Sequence, residues 1–303
     1  MTKVRKSGES AMVQDRRGAG SSGGGLSFPG LGGGGGGGLP IPTKMGGGLI
    51  GLLVLAAAIF LPKLLGGGGT NSGVGLTPDG GSSNGGNATC ESELEQVLCG
   101  AVEDVNAFWT DQFPTSFSRD FEPAQTVFFS GGTNTGCGQA SAQTGPFYCP
   151  ADSLVYFDLD FLVQLQDQFG AQGDLAAQYI VAHEYGHHVQ NLLGINDQVR
   201  QAQQNDPGRA NEYSVALELQ ADCMAGVWVH DVAQRGLLDN ASEVNEALNA
   251  AAAVGDDRIQ EQTQGRSDPE TFTHGTSQQR QDWFNRGFTT GDPNRCNTFD
   301  EIL

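Results

Sequence analysis

Glycine decides where this chain can fold. Half of its 46 glycines lie in two tracts, "GAGSSGGGLSFPGLGGGGGGGLPIP" from Gly18 to Pro42 and "GGGGTNSGVGLTPDGGSSNGGNAT" from Gly66 to Thr89. Glycine loses more backbone entropy on ordering than any other residue and brings no side chain to bury. Such tracts behave as disordered or linker segments. Residues 1–45 are therefore expected to form a disordered Gly-rich cytoplasmic tail and residues 66–89 a flexible linker. The compact fold is confined to residues 90–303, a domain of ordinary size.

Between the tracts runs "GGGLIGLLVLAAAIFLP", residues 46–62, without a charge. If Lys63 snorkels and Leu64 and Leu65 are counted, residues 46–65 reach the roughly 20 apolar positions of a transmembrane helix. Lys3, Arg5, Lys6, Arg16, Arg17 and Lys44 precede it, against Glu9 and Asp15, a bias that places the N-terminus in the cytoplasm. A cleaved signal peptide with "AAA" at 56–58 fits less well, because 45 residues precede the run and apolar sequence continues past Ala58. Either reading exports the remainder.

Residues 46–303 hold 10 basic and 33 acidic side chains. So acidic a surface excludes nucleic acid and anionic lipid as ordinary partners. All six cysteines, Cys90, Cys99, Cys137, Cys149, Cys223 and Cys296, follow the apolar run. Their even number fits three disulfides in an oxidising compartment, the alternative being reduced core thiols.

Apolar residues at helical spacing predict a helix over 91–109. "TVFF" (126–129) and "SLVYFDLDFL" (153–162) read as strands, and a disulfide could pin the loop between Cys137 and Cys149. Helices are predicted from Asp174, as cap, to Gly194, and over 211–234, 242–254 and 276–288. Few strands followed by many helices indicate an α+β domain with a small antiparallel or mixed sheet.

Three of the five histidines stand in "VAHEYGHHVQNLLG" (181–194). His183 and His187, four apart on a helix, project from one face and can share a metal ion. Glu184 points about 100° away around the axis, free to take a proton from water at that ion. The metzincin arrangement, with Gly and His further along, is excluded, because Gln190 and Leu193 occupy those places. The third ligand is sought on the next helix, where "ELQAD" (218–222) sets Glu218 and Asp222 on one face. Glu218 suits the metal, and Asp222 suits the spare ring N–H of a ligand histidine. His274 is a candidate donor to an oxyanion, with Arg280 and Tyr185 as further candidates. His188 faces away from His183 and reads as a residue behind the ligands or on the surface, and His230 as a helix-face residue.

The motifs "GCGQASAQTGPFYCPAD" (136–152), "VAHEYGHHVQNLLG" (181–194), "LELQADCMAGVW" (217–228), "ALNAAAAVGDDRIQ" (247–260), "FTHGTSQQR" (272–280) and "GDPNRCNTF" (291–299), with "VQDRRG" (13–18), resemble a bacterial family of single-pass membrane proteins described as neutral zinc metallopeptidases. The resemblance implies a zincin-like fold of the gluzincin type, preceded by a transmembrane helix and set in the bacterial cell membrane with its catalytic domain outside. It implies one Zn2+ per chain on His183, His187 and Glu218, with Glu184 as base and Asp222 behind the ligands. It favours a catalytic His274. The pairs Cys90–Cys99, Cys137–Cys149 and Cys223–Cys296 are expected.

The function expected is zinc-dependent hydrolysis of a peptide or protein, with a strand around 153–160 aligning an extended substrate by β-addition. The alternatives are a zinc amidase acting on a cell-envelope amide, and a non-catalytic envelope module that zinc stabilises.

Overall fold

A computed structural model of the chain describes residues 2–17, 88–141, 144–163, 173–240 and 242–302. Two short amino-terminal strands, β1 (Glu9–Ser10) and β2 (Val13–Asp15), precede β3 (Ala88–Thr89) and the long helix α1 (Glu93–Phe117). Strands β4 (Gln125–Phe129), β5 (Gly132–Thr135), β6 (Gly138–Ser141), β7 (Phe147–Cys149) and β8 (Leu154–Asp158) follow. The rest is helical: α2 (Asp174–Leu193), α3 (Ile195–Asn205), α4 (Ala210–Gln234), α5 (Ser242–Ala253), α6 (Asp256–Gln264), α7 (Ser277–Thr290) and α8 (Phe299–Ile302).

Local chemistry sets the ends of these elements. The Ser92 side chain accepts from the Glu95 amide and caps α1, which buries Val97, Leu98, Val105, Trp109 and Phe113. The run 153–162, expected as one strand, is cut at Asp158, whose carboxylate accepts from the amides of Asp160 and Phe161 and so opens a helical turn. Asp174 was expected to cap α2. It is instead the first helical residue, after Gly173, and pairs with Lys6 at 3.3 Å. Gly194 ends α2 at φ 77°, as a C-terminal glycine in the left-handed region does.

The main sheet has the order β2-β4-β8-β7. β4 runs parallel to β2 and β8, and β7 antiparallel to β8. Being central, β8 has both edges paired, so it cannot take up an extended substrate by strand addition as expected. The helices bury one continuous core around α4, with Trp109 and Trp228 fully enclosed. A Cβ on Gly287 would stand 1.9 Å from the Cys223 carbonyl oxygen, so only glycine lets α7 lie this close on α4.

The expected fold needs correction. The α+β reading, and the zincin-like gluzincin type with a transmembrane helix before it, give way to a chain about 61% helical over the described residues, with three small sheets. Part of the excess helix comes from polar segments and part from a helix longer than expected. α3 and α6 are polar and were not anticipated, and α1 runs eight residues beyond its expected end at 109. No described helix is long and apolar enough to cross a membrane. The expected span 46–65 and residues 66–87 of the expected linker 66–89 lie outside the described residues, and the last two linker residues form β3.

Residues 2–17, expected in a disordered tail across a membrane, belong to the domain. Val4 and Val13 are buried in its core. β2 pairs with β4 from Val13↔Thr126 to Asp15↔Phe128. The Thr2 hydroxyl donates to Gln178 of α2 at 3.0 Å, and Arg17 pairs with Glu95 at 2.7 Å.

Candidate metal centre

Helices α2 and α4 carry the centre, and Gly186 sets their spacing. A Cβ there would lie 3.0 Å from the Cα and the carbonyl oxygen of Ala221, closer than most side-chain carbons come. The two helices therefore meet beside His187, and Glu218 reaches across to both histidines. His183 Nε2 lies 3.2 Å from Glu218 Oε2, and His187 Nε2 lies 3.4 Å from Glu218 Oε1. One ligand atom from each of His183, His187 and Glu218 falls within 4.8 Å of the others. The rings of His183 and His187 meet edge to face, with centroids 4.8 Å apart.

The donor set fits zinc, which takes imidazole nitrogen and carboxylate oxygen. The bonds behind the rings fit it as well. His183 Nδ1 is 2.9 Å from Asp222 Oδ1, and His187 Nδ1 is 2.8 Å from Gln190 Oε1. Each acceptor holds a proton on Nδ1 and leaves the Nε2 lone pair facing the cluster, the tautomer a metal ligand needs.

Asp222 is completely buried and serves three donors. Besides His183 it accepts from the Tyr179 hydroxyl and, at 2.7 and 2.9 Å, from Arg280 Nε and Nη2. Burial alone would raise its pKa; the Arg280 guanidinium, followed by His183, outweighs burial and holds it below the usual carboxylate range. Glu184 differs. It is 7% exposed, and burial lifts its pKa above the ordinary value despite the two histidines. A carboxylate so raised and placed beside the cluster can both take and return a proton.

The other candidates separate by place. His274 stands near Glu218. Its Nδ1 is 3.1 Å from Asp256 Oδ1, while Asp256 Oδ2 accepts from the amides of Thr273, His274 and Gly275 at 2.6, 2.6 and 3.1 Å. Arg280 is bound to Asp222, behind His183. Tyr185 points from α2 towards the sheet, where its hydroxyl donates to the Ala124 carbonyl at 2.9 Å. Tyr185 is thereby turned away from the centre, whereas Arg280 Nη2 also stands 3.5 Å from His183 Nε2 and 3.9 Å from Glu218 Oε2. His188 is buried between Tyr148 and the Glu122 carbonyl, and His230 bonds the Phe288 carbonyl at 2.7 Å. Sequence reading overlooked Gln190, Tyr179 and Asp256 as supports. Glutamine and tyrosine carry no ligand signature, and Asp256 is joined to His274 only through the fold.

All three expected disulfides are formed: Cys90–Cys99, Cys137–Cys149 and Cys223–Cys296. The last ties α4, five residues after Glu218, to the segment before α8.

Comparison with known proteins gives a consistent picture. A family model described as "Putative neutral zinc metallopeptidase" matches residues 2–299. The chain is 45% identical over 297 residues to "Uncharacterized protein YpfJ" of Escherichia coli, covering 97% of this chain and 98% of that protein. It is 50% identical over 216 residues to "Uncharacterized protein Rv2575" of Mycobacterium tuberculosis, covering 67% and 71%. No solved structure matches.

Proposed function

We propose that this chain, which belongs to the "Putative neutral zinc metallopeptidase" family, hydrolyses peptide bonds with Glu184 as its base. The carrying observation is the position of Glu184. It is buried beside a complete three-residue ligand set without being a member of it. A purely structural metal site has no use for such a group.

Zinc held by His183, His187 and Glu218 would supply a Lewis acid for the scissile carbonyl and make water easier to deprotonate. Glu184 accepts the proton of the attacking water and returns it to the leaving amine. Asp222 and Gln190 keep the ligand rings oriented. His274, held at Nδ1 by Asp256, offers its other ring nitrogen as donor to the developing oxyanion. The substrate class, a peptide or protein, follows from the family description. The disulfides support work in an oxidising compartment.

The test compares wild type with Glu184→Gln on an unfolded protein substrate, with bound metal measured by mass spectrometry. About one zinc in each protein, as one catalytic site requires, with cleavage by wild type alone, is the expected result. Cleavage by Glu184→Gln would sink the assignment of the base. Zinc in both with cleavage by neither would turn the search to a non-peptide amide.

A further inference from the structure

The second ligand histidine has a support of its own. Gln190, one turn after His187 on α2, is completely buried. Its Oε1 takes the His187 Nδ1 proton at 2.8 Å. Its amide nitrogen donates to the Leu217 carbonyl at 2.7 Å and to Gln220 Oε1 at 3.1 Å. A backbone carbonyl can only accept, so the nitrogen must face Leu217 and the oxygen must face His187. Gln220 is fixed in the same way, since its own nitrogen donates to the Cys296 carbonyl at 2.9 Å. Leu217 precedes Glu218, and Cys296 is bonded to Cys223 of α4. The relay therefore begins at a disulfide-anchored carbonyl, crosses α4 beside one ligand, and ends on the ring of another.

We propose that Gln190 is a positioning residue of the metal centre, setting the tautomer and rotation of His187, and that Gln220 and the Cys296 carbonyl set Gln190 in turn. The proposal rests on the reading of His183, His187 and Glu218 as the ligand set. The two histidines are thereby held differently: His183 by a charged carboxylate locked to Arg280, His187 by a neutral amide locked to the backbone of α4. Losing the amide acceptor frees the His187 ring to turn and to move its proton to Nε2, the atom that must bind.

The experiment uses the full chain, zinc and cobalt(II). Zinc affinity is measured by competition with a chromophoric chelator for wild type, Gln190→Met and Gln220→Met. Proton NMR of the cobalt(II) forms reads the shifted ring N–H resonances of the two ligand histidines. Gln190→Met is expected to weaken zinc about 10- to 100-fold, as loss of a partner behind a ligand does. It should also speed solvent exchange of one ring N–H while the other, bonded to Asp222, stays slow. A purely structural residue would not single out one ring. Gln220→Met should act in the same direction with smaller effect, and it carries the test if Gln190→Met does not fold. Affinity unchanged within about twofold, against the loss anticipated above, with both resonances slow, overturns the proposal and leaves the metal centre standing. A wild-type chain that takes up neither metal overturns both.

Discussion

His183 Nδ1 and Asp222 Oδ1 stand 2.9 Å apart, and the same carboxylate is gripped from behind by the Arg280 guanidinium. Asp222 thus serves a metal ligand and neutralises a buried arginine. Asp222→Ala removes both roles. It leaves Arg280, 2% exposed, uncompensated, at a cost of about 3–5 kcal/mol, and it weakens zinc binding as well. The double variant Asp222→Ala/Arg280→Met separates the two. Chemical denaturation should show most of the stability recovered, while chelator competition still shows weak zinc.

The metal-free protein should lose stability as the solution becomes alkaline. Burial works against a proton on His183, but Asp222, and Glu218 after it, outweigh burial and raise its pKa to about 9. A histidine whose folded pKa lies above its unfolded value stabilises the fold fully below about 6.5. That contribution is lost as pH rises through about 9. Zinc competes with the same proton, so its affinity should climb over the same window. Melting curves of the metal-free chain and zinc titrations between these limits check both slopes. A flat pair of curves would remove the proton from His183.

Deleting residues 1–17 should weaken a domain that the sequence alone draws as starting at residue 90. Val4 and Val13, 2% and 1% exposed, would be lost from the core, at about 1.5–3 kcal/mol each. Their loss lowers the melting temperature by on the order of 10 °C. Calorimetry of the truncated and full chains decides. Equal melting points would mean that the amino-terminal strands contribute nothing.

The disulfides should differ in weight. Cys223–Cys296 closes a separation of 73 residues and Cys90–Cys99 one of nine. Loop-closure entropy assigns them about 4 and about 2.5 kcal/mol. Paired cysteine-to-alanine variants in urea should therefore rank in that order. The reverse order would show that strain or residual unfolded structure dominates.

What was legible in the sequence is what is local or chemically marked. His183 and His187 are one turn apart on a helix, and Glu218 and Asp222 repeat that spacing, so the candidate cluster could be sought before any fold was known. The disulfide pairs came from family resemblance, since spacing alone admits several connectivities. Two kinds of feature were not legible. Gln190 was visible only as a departure from another pattern, because its role depends on Leu217 and Gln220 from a different helix. β2, three residues long, is too short for a periodic signal and stands next to a glycine tract that disguises it. α3 and α6 hide for the opposite reason, being helices that bury almost nothing.

The amino-terminal strand also sets an order of events during synthesis. Residues 2–17 leave the ribosome before their partners: β1 pairs with β3, β2 with β4, and the Lys3 amide donates to the Leu237 carbonyl at 2.6 Å. Their partners arrive in stages, Ala88 and Thr89 first, then Thr126 to Phe128, and Leu237 much later, and closing so long a loop slows folding. Whenever β2 is unpaired, β4 presents an open edge, a surface that invites aggregation. Lys3 is thus among the last residues of the domain to take its place, and chaperones that shield unpaired strands would act in that interval.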